Sequence, residues 1–380
     1  MPGVLKEDEP FKTIEVKPLH PTFGAEVSGV NFDDLSDEQF SEILAAMAKY
    51  GICVFRNTGL TDDSHVAFSR RFGELDSAKR YFAQGRKPRY AYYELFDAGN
   101  VTVEPLPGST QTPVTPRPLD PTSVRAHANR GNGLFHCDSS FNPRRASFSL
   151  LRAFQLPPPE TGGDTLFADS RTAAEELDAE TLALLTGQGQ GGENEGGLVG
   201  AHSMAHSRKL GSPEFFKDMD VDGSMMTRHR ILQQHSPSGR MNLYVGAHLH
   251  HIESSVPPGG SGTEIPDSWQ LVQKLNAHVT QEKYVLSVPW RAPGDLVIWD
   301  NRAVLHRAGP GTFEGKYIRD LRRTTVHDDS PTAWGLNEVG AAFSAFFTPP
   351  TKDAQKDAQT QKEEKTGAQS VAAGTAVEVR

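Results

Sequence analysis

Residues 294–306 read Gly-Asp-Leu-Val-Ile-Trp-Asp-Asn-Arg-Ala-Val-Leu-His. The run from Leu296 to Trp299 is strongly β-forming, Asp300-Asn301 supplies a turn, and the chain returns on a second strand that ends at His306. Outward from this stretch the same alternation recurs at 147–154, 165–168, 241–247, 284–290 and 316–326, with Gly/Pro turns between. Upstream, 13–17 and 23–30 read as short strands and 52–56 as a buried one. Helices intervene. The clearest covers 37–50, with Ser36 and Gln39 as a capping box, Phe40, Ile43, Leu44 and Met47 at helical spacing, and Gly51 as its stop. A second runs from Thr61 to Gly73, and a third spans 268–279 with Asp267 as its cap. The fold expected is mainly β with flanking helices, and rich in loops.

Composition agrees. The 380 residues are 37% hydrophobic and 23% charged, enough apolar material for a sizeable core. The net charge of −9 argues against nucleic acid or an anionic membrane as partner, since both need a basic face. No apolar run reaches the ~18 residues of a membrane span, and the first residues are charged where a signal peptide is apolar, so a cytoplasmic protein is expected. With two cysteines there is no disulfide framework, and Cys53 reads as buried filler. Residues 351–380 lack aromatic residues, Leu and Ile, and are expected to be a disordered tail behind a single domain over 1–350. Two stretches look like loop insertions: one near 99–128, with six prolines between positions 105 and 121, and one at 187–200, with seven glycines. The second has no Gly-Lys-Ser/Thr ending and is a poor phosphate cradle.

Chemistry enters with histidine. His-x-Asp/Glu with a distant second His is the donor set of a mononuclear iron(II) site with open positions. The chain has three such pairs, His136/Asp138, His251/Glu253 and His327/Asp329, where chance supplies roughly two, so context must choose. His136 and Asp138 lie in Leu-Phe-His-Cys-Asp-Ser-Ser-Phe, apolar on both flanks. In an extended chain they project to one side while Cys137 points away. His327/Asp329 reads as a solvated turn. His251/Glu253 belongs to the cluster His248-Leu-His250-His251, soon followed by a Pro/Gly loop. His306 is a candidate third ligand. On the strand that follows, Arg319, Leu321, Arg323 and Thr325 share one face, with the two arginines about 13 Å apart at ~3.3 Å per residue. Exposed, they are ordinary surface charge; lining a barrel, they would bind two different carboxylates.

Together these stretches resemble the taurine/2,4-dichlorophenoxyacetate dioxygenase family of iron(II)- and 2-oxoglutarate-dependent oxygenases. The resemblance is carried by Phe-Gly-Ala-Glu-Val-Ser-Gly-Val at 23–30, Tyr-Gly-Ile-Cys-Val-Phe-Arg at 50–56, Phe-Ser-Arg-Arg-Phe-Gly at 68–73 and His136-Cys-Asp138-Ser-Ser-Phe. It continues in Gly-Gly-Asp-Thr at 162–165, Gly-Ala-His248-Leu-His-His251-Ile-Glu, Trp299-Asp-Asn-Arg-Ala-Val-Leu-His306-Arg and Arg319-Asp-Leu-Arg-Arg323-Thr-Thr. The wording is closer to the phenoxyacetate-cleaving branch.

The resemblance implies a double-stranded β-helix, a cupin-like jelly roll. It implies His136, Asp138 and His306 as iron ligands, Arg319 with Thr165 on the distal carboxylate of 2-oxoglutarate, and Asn132 near that cosubstrate. Arg323 would bind the anionic group of the substrate, with His248 and His251 toward the substrate side. Iron(II), 2-oxoglutarate and O2 would then hydroxylate a small, anionic organic substrate, aryloxyacetate-like or a sulfonate, releasing succinate and CO2. Two extra residues between His306 and the Arg319 block, and the two insertions, leave a purine such as xanthine or a specialised metabolite as the alternative substrate. The rival classes are a zinc hydrolase built on the 248–251 histidines and a non-catalytic jelly-roll binding protein. Homo-oligomerisation is left open.

Overall fold

In the computed structural model the described residues are 11–81, 88–103, 115–187, 197–254, 260 and 262–343. The expected tail at 351–380, and residues 104–114 and 188–196 of the two insertions, lie outside them. The fold is mainly β with helices. Its largest sheet has seven strands in the order Glu15–Pro18, Ala25–Ser28, Ile52–Phe55, Leu296–Asp300, Ala146–Gln155, Asp320–His327 and Phe96–Asp97. A three-stranded sheet holds Val285–Val288, Thr165–Asp169 and Val304–Ala308, and another holds Thr227–Arg230, Val199–His202 and Leu249–Glu253. Among the described residues, no helix is long and apolar enough to cross a membrane.

The stretch 294–306 is not a simple hairpin. Leu296–Asp300 pairs with Ile52–Phe55 and Ala146–Gln155 in the large sheet, whereas Val304–Ala308 pairs with Thr165–Asp169 in the smaller one. Strand alternation explains why the first arm is apolar throughout. Leu296 and Ile298 join Cys53, Phe55 and Leu150 in a core with Ile43 and Met47 of helix Asp37–Tyr50 and Phe68 of helix Asp62–Arg70. Val297 and Trp299 join Ile52, Val54, Phe167, Val304 and Leu321, residues of both sheets. Each such fully buried side chain contributes about 1.5–3 kcal/mol of burial free energy.

The corner between the two arms is fixed by buried charge. Arg302 Nε and Nη2 donate to the two oxygens of Asp300 at 2.9 and 2.8 Å, and its Nη1 donates to Asp328 at 2.9 Å. Arg145 reaches the other Asp328 oxygen at 2.8 Å, and His235 approaches Asp300 at 3.0 Å. Burial alone would raise the Asp300 carboxyl, but Arg302 and His235 outweigh it and hold it well below the usual range. Removing one member of such a ladder leaves an uncompensated buried charge, at a cost of ~3–5 kcal/mol.

Several expectations are corrected. Asp267 does not cap the helix Ser268–Val279: at φ 54° it is left-handed and its side chain makes no cap bond, whereas Ser268 accepts the Ile252 N–H at 2.8 Å. Gln39 completes no capping box, because its amide donates to the carbonyls of Thr13 and Gly29. The strand expected at 241–247 stops at Leu243. The one expected from 316 begins at Asp320, since the Arg319 N–H is taken by the Asn100 side chain. Within 99–128, Val124–Asn129 is helical and Arg117–Pro118 forms a short ladder with Val101–Thr102. The end of the glycine-rich stretch enters the buried strand Val199–His202.

Burial also depresses several imidazoles, pushing His65 and His229 down to about 3 and His206 to about 4. A base whose folded pKa lies below its unfolded value near 6.5 contributes stability that is full above pH 6.5 and lost as pH falls. Urea melts should therefore show stability falling from pH 7 to pH 5, at about 1.4 kcal/mol per pH unit for each histidine once below pH 6.5. A flat profile over that window would contradict neutral burial.

Candidate metal centre

His136 lies on the segment leading into Ala146–Gln155, and His306 lies on Val304–Ala308. The two bridge through their backbones, each N–H donating to the other's carbonyl at 2.9 Å. Gly246 presses on this bridge from outside: at φ 114°, a Cβ there would fall 2.9 Å from His136 Cα, so only glycine fits. Two residues on, the Asp138 N–H donates to Asn301 Oδ1 at 2.9 Å. Cys137 points the other way, into an apolar cluster with Tyr244 and Val245.

The outcome is one potential donor atom from each of His136, Asp138 and His306, all within 4.8 Å of one another and all from buried residues. His136 Nε2 is 3.9 Å and His306 Nε2 3.7 Å from the Asp138 oxygens. His136 Nδ1 faces the Leu134 carbonyl at 2.7 Å; a carbonyl only accepts, so Nδ1 carries the proton and Nε2 keeps its lone pair. The His306 ring lies 4.5 Å from the Trp299 ring, and its Nδ1 has no hydrogen-bond partner among the described residues. Burial lowers both imidazoles, His306 well below its ordinary value, so both are neutral. Burial would raise Asp138, but the Arg323 guanidinium foremost, with the Ser149 hydrogen bond, holds it down at about 2. Two neutral imidazoles and one carboxylate, with no fourth protein donor among the described residues, fit a divalent iron that keeps open positions.

The carboxylate is held on every side. Ser149 Oγ donates to Oδ2 at 2.7 Å and Arg323 Nη1 to Oδ1 at 2.6 Å. Asn301 ties this together: its Oδ1 also accepts from Trp299 Nε1 at 3.0 Å, and its Nδ2 donates to Ser149 Oγ at 3.0 Å. Sequence reading missed Ser149 and saw Asn301 only as a turn residue; the Trp-Asp-Asn-Arg wording was the one available signal.

Arg319 is buried, and its Nε and Nη2 donate to the Gly163 carbonyl at 3.1 and 2.8 Å. Burial pushes its guanidinium down to about 10, and no carboxylate lies within ion-pair distance among the described residues. Thr165 is buried nearby in sequence and accepts from Trp290 Nε1 at 3.2 Å. His248 stands edge-on to His136, with ring centres 5.4 Å apart, and is held by Ser140 at 2.9 Å. His251 instead faces Glu253 at 2.9 Å, an acid that Arg228 also grips, so that pair forms an ion cluster. His248 lies in the turn before strand Leu249–Glu253 and His251 within that strand, which separates the two histidines that the sequence grouped. Asn132 is exposed on the turn Arg130–Gly133 and shares no hydrogen bond with the site. His327 lies 3.6 Å from Asp76 at its strand's end, and Asp329 is exposed.

Asn301→Ala leaves the Asp138 N–H and Trp299 Nε1–H without acceptors. Metal affinity should fall by about 10- to 100-fold, measured by Mn(II) titration, while circular dichroism still reports a folded protein. Unchanged affinity would show that Asp138 needs no such positioning.

Comparison with known proteins agrees with this geometry. The profile of the family described as "Taurine catabolism dioxygenase TauD, TfdA family" matches residues 15–325. The alpha-ketoglutarate-dependent 2,4-dichlorophenoxyacetate dioxygenase of Cupriavidus pinatubonensis is 30% identical over 320 residues, 84% of this chain and 99% of its own. The (S)-phenoxypropionate/alpha-ketoglutarate-dioxygenase of Sphingobium herbicidovorans is 30% identical over 325 residues, 84% of this chain and 97% of its own. Among solved structures, AAD-2 in complex with Mn(II) and N-oxalylglycine superposes with a TM-score of 0.64 at 31% identity, covering 84% of this chain and 99% of that one. A match that runs through both sheets and covers these relatives nearly end to end makes the chain a member of the TauD, TfdA family, an iron(II)- and 2-oxoglutarate-dependent dioxygenase.

Proposed function

We propose that the enzyme hydroxylates a small substrate bearing a carboxylate or sulfonate, of the aryloxyacetate kind, beside a metal held by His136, Asp138 and His306. The observation that carries this reading is the Arg323 contact with Asp138 at 2.6 Å. A guanidinium that touches a ligand carboxylate brings any anion it binds to the edge of the metal site. The C–H bond next to that anion is then the one placed for reaction. If that carbon also bears an ether oxygen, hydroxylation gives a hemiacetal that collapses, and the net reaction is cleavage. The apolar core shared by strands of the two sheets supports reading the fold as a double-stranded β-helix.

Arg319 and Thr165 would take the far carboxylate of 2-oxoglutarate. Two things support this: a buried arginine whose side chain bonds only a backbone carbonyl among the described residues, and the spacing along the sheet. Phe167 pairs with His306 and Thr165 with Ala308, so Thr165 lies two residues, about 6–7 Å, along the sheet from the metal end. That is comparable to the span of a five-carbon diacid. His248, beside His136, would wall the substrate side with His251 farther out, and Asn132 would lie toward the cosubstrate. Bound iron supplies the oxidising chemistry that consumes 2-oxoglutarate and O2 and ends in succinate, CO2 and hydroxylated product. The protein orients the C–H bond and excludes water.

Succinate formation with iron(II) and ascorbate across carboxylates, sulfonates and aryloxyacetates tests the substrate class. Arg319→Ala should raise KM for 2-oxoglutarate by about 10- to 150-fold whatever the substrate, from loss of a charge-assisted contact worth ~1.5–3 kcal/mol. Arg323→Ala should weaken anionic substrates more than 2-oxoglutarate, with any loss of metal affinity from its contact with Asp138 read separately by Mn(II) titration. Equal loss of 2-oxoglutarate use in both variants would show that the two arginines do not serve separate anions.

A further inference from the structure

Strand alternation turns Arg307 to the face opposite His306, where it lines a cleft of about 320 Å³ together with Arg130, Asn100, Phe313 and Glu314. The volume is at the low end of the range for small-molecule sites. Its charge sets it apart. Most arginines of this acidic chain that meet a carboxylate are tied to it, as Arg89, Arg145, Arg228 and Arg302 are. Arg307 instead stacks 5.2 Å over the Phe135 ring, and Arg130 reaches only Ser212 Oγ at 3.5 Å and the Pro121 carbonyl at 3.4 Å. Neither has a carboxylate partner among the described residues. Two such guanidinium groups on one small cleft are a receptor for an anion, and Glu314, the one acidic residue on the lining, moderates its strength. The rear of the cleft adjoins the backbone of Arg319: Asn100 Oδ1 accepts the Arg319 N–H at 2.7 Å and Asn100 Nδ2 donates to the Tyr317 carbonyl at 3.0 Å. The Phe313 ring lies 5.8 Å from the Arg319 guanidinium.

We propose that this cleft is a second, non-catalytic carboxylate site that takes a four- or five-carbon dicarboxylate, the class to which both succinate and 2-oxoglutarate belong. Two cationic groups match two carboxylates, the cleft of about 320 Å³ has room for a dianion of this length, and turnover releases such a dianion from the same domain. The proposal goes beyond the reading of Arg319, which serves only as the reference site in its test.

Calorimetric titration of succinate, and in parallel of 2-oxoglutarate, into the full-length Mn(II)-loaded enzyme should resolve two binding events for at least one of them. Replacing Arg130 and Arg307 together by Gln should weaken one event by about tenfold or more and leave the other in place. Glu314→Gln should tighten that same event several-fold, a change opposite in sign to the effect of a damaged fold. Arg319→Ala should remove the other event alone; if it does not, the cosubstrate assignment fails while the cleft is still judged by Arg130, Arg307 and Glu314. A single event, or a second one indifferent to all three cleft residues, would overturn the proposal.

Discussion

A buried carboxylate governs this structure. Asp138 is 4% exposed, and a charge taken out of water at that depth costs several kcal/mol unless every lone pair finds a partner. Its partners come from separate elements: Ser149 from the middle of the large sheet, Arg323 from the neighbouring strand, and Asn301 from the corner between the two sheets. His136 and His306 add their rings through a two-bond backbone bridge. Asp138 can therefore be buried as a charge only when both sheets and the corner are in place. The same requirement brings three metal donors to one point.

The corner is where stability and chemistry meet. Trp299 packs on the His306 ring, Asp300 and Arg302 anchor the turn to Asp328, and Asn301 between them holds the Asp138 backbone. Each residue of Trp-Asp-Asn-Arg thus has a separate physical task, and none is interchangeable with a generic turn residue. Because Leu296–Asp300 and Val304–Ala308 belong to different sheets, this corner also sets how the sheets face each other. Arg307 is turned away from the metal by the same alternation that turns His306 toward it, so one strand serves both the metal centre and the charged cleft behind it.

Much of this was legible in the residues, for local reasons. Helix Asp37–Tyr50 announced itself through Ser36, its apolar spacing and Gly51, and the pair His136/Asp138 stood out through its apolar flanks. What stayed hidden depends on distant contacts. Asn301 and Asp138 are 163 residues apart, and no local pattern marks an amide in a turn as the support of a ligand. The strand at 241–247 stops at Leu243, and Gly246 beyond it packs against His136, a distant contact that alternation cannot report. Asp267 looked like a cap by type, but its left-handed backbone aims the side chain elsewhere. The sheet built on Val199–His202 was masked by the glycine-rich composition just before it. His251 and His248 look equivalent in sequence, but His248 sits in the turn before strand Leu249–Glu253 and meets His136, whereas His251 lies within the strand and faces Glu253.

His136, Asp138 and His306 form one candidate metal centre. Anomalous diffraction from crystals grown with Mn(II) tests it most directly. A single strong peak is expected between the Nε2 atoms of the two histidines and the Asp138 carboxylate, at the distances of direct ligation. A peak instead among His248, His250 and His251, with none beside Asp138, would contradict it.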